Sequence, residues 1–182
     1  MILNGKQNHF NYTWSKLRYW SLAIRNVLEY FGFIVVLRPI GRPNDFIKIL
    51  QGDETTKISE VLIFCFHGQN GKFIMPKLAT EIYERTEPKE NFNFEQIHQF
   101  AKLNGQHIIV TGCTLGNRKL ADSFLKANAK SYIGAKKHPE GNSVLVFVTT
   151  LFHYFIQNNN YSDAFEKAKI IDNETRMFEK YE

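Results

Sequence analysis

Two stretches decide the fold: Val61-Leu-Ile-Phe-Cys-Phe-His67-Gly68 and His107-Ile-Ile-Val-Thr-Gly-Cys113. Each is a short apolar run rich in Ile, Val and Phe that stops on a reactive side chain, and the histidine and cysteine lie 46 positions apart. Runs of that length, bounded by turn residues, read as strands buried on both faces, as in a parallel sheet. The carboxyl end of such a strand is where open α/β sheets place their ligands. Two neighbouring strands would therefore deliver an imidazole and a thiol to one edge. A Cys and a His within hydrogen-bond reach are the minimum parts for thiolate nucleophilic catalysis.

Working outward, the chain alternates strand and helix signals. Before Val61, a very short strand is expected at Ile2-Leu3-Asn4-Gly5. A helix follows from a Thr13 cap, with Leu17, Trp20, Ile24, Val27, Leu28 and Phe31 at helical spacing and Gly32 as its stop. Phe33–Leu37 is β-branched and reads as a strand. Pro39, Gly41 and Pro43 break the chain before a short helix capped by Asn44, with Phe46, Ile49 and Leu50 inward. Gly52–Thr56 reads as a polar loop. After His67, Asn70-Gly71 between short apolar stretches predicts a small hairpin. Glu81–Asn93, charged and containing Pro88, reads as a surface loop.

Asn93 with Gln96 three residues on is a capping signature for a helix presenting Ile97, Phe100 and Leu103 and ending at Asn104-Gly105. Beyond Cys113, a helix carries Leu120, Phe124 and Leu125. Ser131–Ala135 reads as the last strand, and helices near 143–157 and 161–179 close the chain. The expected fold is α/β: a three-layer sandwich with a mainly parallel central sheet of about five strands and helices on both faces. Residues 1–182 read as a single domain, with no internal repeat or linker.

Composition narrows the function. A chain of 182 residues, 43% hydrophobic and 14% aromatic, is long enough for one good core and is not of disordered type. Its longest apolar segment, Ser143 to Ile156, is interrupted by Thr149, Thr150 and His153 and falls short of the ~20 residues a membrane helix needs. Met1-Ile-Leu-Asn-Gly-Lys has no basic region followed by an apolar core, so the expectation is a cytoplasmic protein with no membrane contact. Cys65 and Cys113 suit neither a structural disulfide in a reducing compartment nor a zinc site, so no metal and no cofactor is expected. The net charge of +5 is spread thinly, with Lys136-Lys137 the densest cluster, so nucleic acid is not an expected partner.

Cys113 lies between Thr111-Gly112 and Thr114-Leu115-Gly116. Glycines at both flanks allow a sharp turn and room for a substrate. A helix start nearby would lower the thiol pKa and offer an oxyanion donor. The competing reading is a buried cysteine closing a strand, since Cys is among the most buried residue types. His67 precedes Gly68, whose amide could approach a developing oxyanion; equally, a histidine at a sheet edge can be satisfied by a carbonyl. Cys65, on His67's strand face, reads as a core thiol. His153 reads as structural, and His9, His98, His107 and His138 have no partner pattern. Asp122 and Glu166 read as solvated helix faces. Asp53 and Glu54 could line a pocket.

An apolar strand ending in His67-Gly68, then another ending in a small residue and Cys113, resembles the caspase-like cysteine peptidases. That superfamily includes caspases, metacaspases, legumain, gingipains and the bacterial CHAT proteases. The likeness runs from Val61 to about Ala168. It takes in the stretch Leu120 to Gly134, Gly141 with the helix after it, and Ala164 to Ala168. The resemblance implies thiolate attack on a peptide carbonyl. Cys113 would be the nucleophile and His67 the general acid/base, with the amides of Gly68 and Cys113 as oxyanion hole and no obligatory third residue. Gly112 stands where many members have Ala or Ser. Thr114-Leu115-Gly116 departs from the caspase signature, so specificity for aspartate is not implied; Arg38, Arg42 and Arg118 are the cations that could supply one. The implied partners are a peptide or protein substrate, and beyond it a protein partner or a second copy of the chain. Two other readings stand beside it. One is a flavodoxin-like, amidotransferase-like cysteine hydrolase using His138 or His153. The other is a catalytically inactive caspase-like scaffold or regulatory binding module.

Overall fold

The computed structural model describes the backbone of residues 9–182 and the side chains from Leu17 onward, so the strand expected at Ile2–Gly5 lies outside the described residues. Helix α1 spans His9–Tyr30, opening before Thr13. It ends where expected: the Gly32 amide donates to the Glu29 carbonyl and the Phe33 amide to the Leu28 carbonyl, each at 3.0 Å. Phe33–Leu37 then runs extended but is not a strand. Phe33 and Val35 pack into the core while Ile34 is 98% exposed, and no backbone ladder bond involves the segment among the described residues. Its β-branched residues reflect packing on one face rather than pairing, which is what strand propensity chiefly measures.

Helix α2, Pro43–Leu50, buries Phe46, Ile47, Ile49 and Leu50. Its start is set by Pro43 in the first turn and by the Asp45 carboxylate, which accepts from the amides of Gly41 (2.9 Å) and Arg42 (3.1 Å), so Asn44 is not the cap. The expected polar loop holds a turn of helix, α3 at Glu54–Ile58, because the Asp53 side chain accepts from the Thr56 amide at 3.0 Å. Strand β1 is Val61–Phe64. The hairpin follows as β2, Gly68–Gln69, and β3, Lys72–Phe73, turning through Asn70 (φ 51°) and Gly71 (φ 71°). Phe92 returns to bond Phe73 in both directions, at 2.8 and 3.1 Å.

Helix α4, Phe94–Phe100, begins with the expected Asn93–Gln96 box but stops short of Asn104. Then come β4 (His107–Val110), α5 (Arg118–Lys126), β5 (Ser131–Ala135), α6 (Gly141–Asn158), α7 (Tyr161–Lys169) and β6 (Phe178–Tyr181). The last helix is therefore shorter than expected and is followed by a strand. The main sheet has four strands among the described residues, in the order β1-β4-β5-β6, with the first three parallel and β6 antiparallel to β5.

Strand residues alternate between two cores, as the pleat requires. Leu62, Phe64, Ile108, Val110 and Tyr132 face α2, α4, α5 and the hairpin, where Phe46 and Phe73 are fully buried. Ile63, Ile109, Ile133 and Ala135 face α1, α6 and α7. Phe178 of β6 stacks on Phe147 of α6 at 3.9 Å between ring centroids. The molecule is thus α/β, with helices on both faces of a mainly parallel sheet, and no helix among the described residues is long and apolar enough to cross a membrane.

Candidate active site at the carboxyl edge of the sheet

The parallel register pairs Phe64 with Val110. The Thr111 amide extends the ladder to the Phe64 carbonyl at 3.1 Å, and His67 and Cys113 each lie three residues past that registered pair. Both therefore leave the sheet at the same edge, and both are half-buried.

Two glycines lock the segments together. A methyl on Gly68 would lie 2.1 Å from the Cys113 carbonyl oxygen and 2.7 Å from Leu115 Cγ. One on Gly112 would lie 2.7 Å from the Phe66 carbonyl oxygen and 2.9 Å from the Gly68 nitrogen. Only hydrogen fits at these positions, so the chain after His67 lies backbone to backbone against the chain around Cys113. The loop is pinned below by Tyr132, whose hydroxyl donates to the Leu115 carbonyl, and by Tyr181, whose hydroxyl donates to that of Gly116, both at 2.8 Å. Above it, the Thr114 amide donates to the Lys137 carbonyl at 2.8 Å, bringing in the loop after β5. The His67 carbonyl accepts from the Ile74 amide at 3.0 Å, which ties the hairpin to the same edge.

No protein-family model matches this chain, and no curated protein does either.

The electrostatics correct one expectation. Burial pushes the Cys113 thiol up from its ordinary value, opposed by a hydrogen bond from its own backbone amide; the Glu140 carboxylate raises it further. The expected acidifying helix start is too far along the chain: α5 begins at Arg118, and the Asn117 side chain occupies the Leu120 amide at 3.0 Å. A helix terminus acts only within its first turn. Burial therefore favours the neutral form of the Cys113 thiol. Burial likewise pushes the Cys65 thiol up to about 11, with the Thr111 hydroxyl opposing, and Cys65 packs in the core with α6.

The other sequence candidates fall away from the site or into structural roles. Arg38 is paired with Asp53 and Arg42 with the buried Glu87, while Arg118 makes only an exposed pair with Asp122 at 2.8 Å, one turn along α5. Asp53 caps α3, and Glu54 is exposed. His107 is buried at the opposite edge, 2.7 Å from the Ser131 hydroxyl and stacked on Tyr161. His98 and His153 are exposed on α4 and α6. His138 is exposed and follows Lys137, so unlike the others it does share the Cys113 edge.

Three groups were not legible in the sequence. Thr114 has a left-handed backbone, φ 60°. Glu140 lies near enough for its charge to reach the Cys113 thiol. Glu87, inside the expected surface loop, is fully buried in its side chain, where it accepts from Arg42 Nε (3.0 Å) and from the amides of Asn44 (2.9 Å) and Glu84 (3.1 Å). Nothing in the composition of residues 81–93 marks that clasp.

Among the described residues, no three His, Cys, Asp or Glu side chains are grouped to hold a metal. Two surface grooves, of about 410 Å³ between α1 and α6 and about 280 Å³ beside Lys72, are lined by neither His67 nor Cys113.

Proposed function

We propose that this protein is a caspase-like cysteine peptidase that cleaves peptide bonds through a Cys113–His67 dyad. What carries the reading is the equal offset of the two residues from the Phe64–Val110 pair, together with the glycine-to-glycine contact that closes the gap between their loops. His67 takes the proton from the neutral Cys113 thiol as the sulfur attacks the substrate carbonyl carbon. The amides of Gly68 and Cys113 receive the developing oxyanion. His67 then returns its proton to the leaving amine, and water, deprotonated by His67, releases the acyl group. Arg38 and Arg42 are held in part-buried ion pairs, whereas the exposed pair of Arg118 with Asp122 leaves that guanidinium open to solvent. Two free thiols are in keeping with a reducing, cytoplasmic setting.

One observation favours a second reading. His138 shares the edge with Cys113 and follows it in sequence, the order of an amidotransferase-like hydrolase. The pH dependence of Cys113 alkylation by iodoacetamide separates them, with labelled peptides resolved by mass. The dyad reading requires His67→Ala to abolish reactivity near neutral pH while His138→Ala preserves it. The reverse pattern transfers the base to His138. A Cys113 that labels slowly in every variant, with or without a peptide substrate, leaves a catalytically silent scaffold.

A further inference from the structure

The turn that presents Cys113 is built on a residue poorly suited to it. Cys113 and Thr114 form the turn, and Thr114, the second of them, has φ 60°. A positive φ at that position is ordinarily supplied by glycine or asparagine. The other non-glycine residues with positive φ among those described are Asn70, Asn128 and Asn159. A β-branched residue there is a genuine outlier, and such strain persists only where the surroundings over-determine it.

The surroundings here are three hydrogen bonds from three separate segments. The Gly71 amide, at the hairpin tip, donates to Thr114 Oγ1 at 3.1 Å. The Thr114 amide donates to the Lys137 carbonyl at 2.8 Å. The Thr114 carbonyl accepts from Asn117 Nδ2 at 3.2 Å. That same Asn117 amide lies 2.9 Å from where a Gly71 methyl would be, so the hairpin tip is seated on it. The hairpin that begins one residue after His67, the loop after β5 and the start of α5 all converge on the residue after Cys113.

We propose that Thr114 is a positioning residue. Its latched, left-handed backbone fixes the direction of the Cys113 thiol and amide and couples that direction to the hairpin following His67. This rests on Cys113 being the nucleophile, and it adds the device that aims it. Glycine would meet the same φ without strain but would lack the hydroxyl that receives Gly71. Serine would keep the hydroxyl.

The test is iodoacetamide labelling of Cys113 across pH in Thr114→Gly, Thr114→Val and Thr114→Ser, alongside guanidinium unfolding of each. The plateau rate at high pH reports where the thiol sits, and the pH of the break reports its pairing with His67. In Thr114→Gly, the unfolding midpoint is expected to hold or rise, while the plateau changes about tenfold and the break moves, since small misplacements carry large rate effects. Thr114→Ser restores both, and Thr114→Val lowers the midpoint. A Thr114→Gly variant whose plateau and break match the unmodified protein overturns the proposal. So does one that is destabilised yet labels normally. If the unmodified protein's break ignores His67→Ala, the dyad reading fails alone, and the plateau comparison still decides the role of Thr114.

Discussion

Replacing Gly68 by alanine tests the joint between the two halves of the site. The added methyl would sit 2.1 Å from the Cys113 carbonyl oxygen and 2.7 Å from Leu115 Cγ. Comfortable carbon-to-oxygen contacts begin near 3.3 Å, so the segments must part by roughly 1 Å. Neither neighbour yields easily, since one is backbone and the other a side chain with no exposed surface. Overpacking of that kind costs about 1–3 kcal/mol, and the rigid partners put this case near 3 kcal/mol. A parting of about 1 Å between the His67 and Cys113 loops would also lower dyad-dependent reactivity about a hundredfold. Gly105→Ala is the control. Gly105 has nothing within 4 Å of its missing methyl but a φ of 79°, so it carries conformational strain alone, about 1–2 kcal/mol. Guanidinium unfolding at pH 7 and Cys113 alkylation read the two effects. A Gly68→Ala protein as stable as Gly105→Ala, with Cys113 reactivity intact, would refute the reasoning.

Two further predictions concern buried groups. Glu87→Gln removes a charge held by Arg42 and is expected to cost about 2–4 kcal/mol at pH 7, read by urea unfolding. Chiefly through that bond to Arg42, the Glu87 carboxyl falls from 4.5 to about 2. Its contribution is therefore complete above pH 5 and lost as pH falls toward 2, about 3 kcal/mol in all. The acid limb of the stability profile should be shallower in Glu87→Gln, and an unchanged limb would contradict the clasp. Cys65, its thiol at about 11, should resist iodoacetamide at pH 8 in the folded protein and label fully in guanidinium. Labelling at the rate of Cys113 would show that it is not enclosed.

The parts of the fold that sequence discloses are those whose cause is local. The β1 and β4 runs alternate between two cores because both faces are covered, and that is written in their unbroken apolar character. The Asn93–Gln96 box and the Asn70-Gly71 turn are satisfied by bonds within a few residues, so they too could be read directly. Strand β6 could not. Phe178-Glu-Lys-Tyr181 has one sheet neighbour among the described residues and two consecutive charged residues, so its identity comes from pairing with β5. Phe33–Leu37 shows the converse, having strand composition without a partner. At the site, His67 and Cys113 stood out by ending their runs. The state of the thiol did not, because it depends on where α5 begins and on Glu140, both set by tertiary structure. Glu87 was hidden for the same reason, its partner lying 45 residues away.

The two cores have different histories. The one that holds Phe46, Ile97 and Phe124 draws its buried residues from positions 46 to 132. The other joins Ile24 and Leu28 of α1 to residues as late as Phe178. On a ribosome adding about 5–20 residues per second, positions 133–182 take roughly 3–10 s to emerge. During that interval one side of the nascent sheet is finished while Ile63 and Ile109 on the other have only α1 for cover. The half-built chain offers a flat aliphatic plane at the moment it is least able to hide it. Slower elongation over α6 and α7 lengthens that exposure.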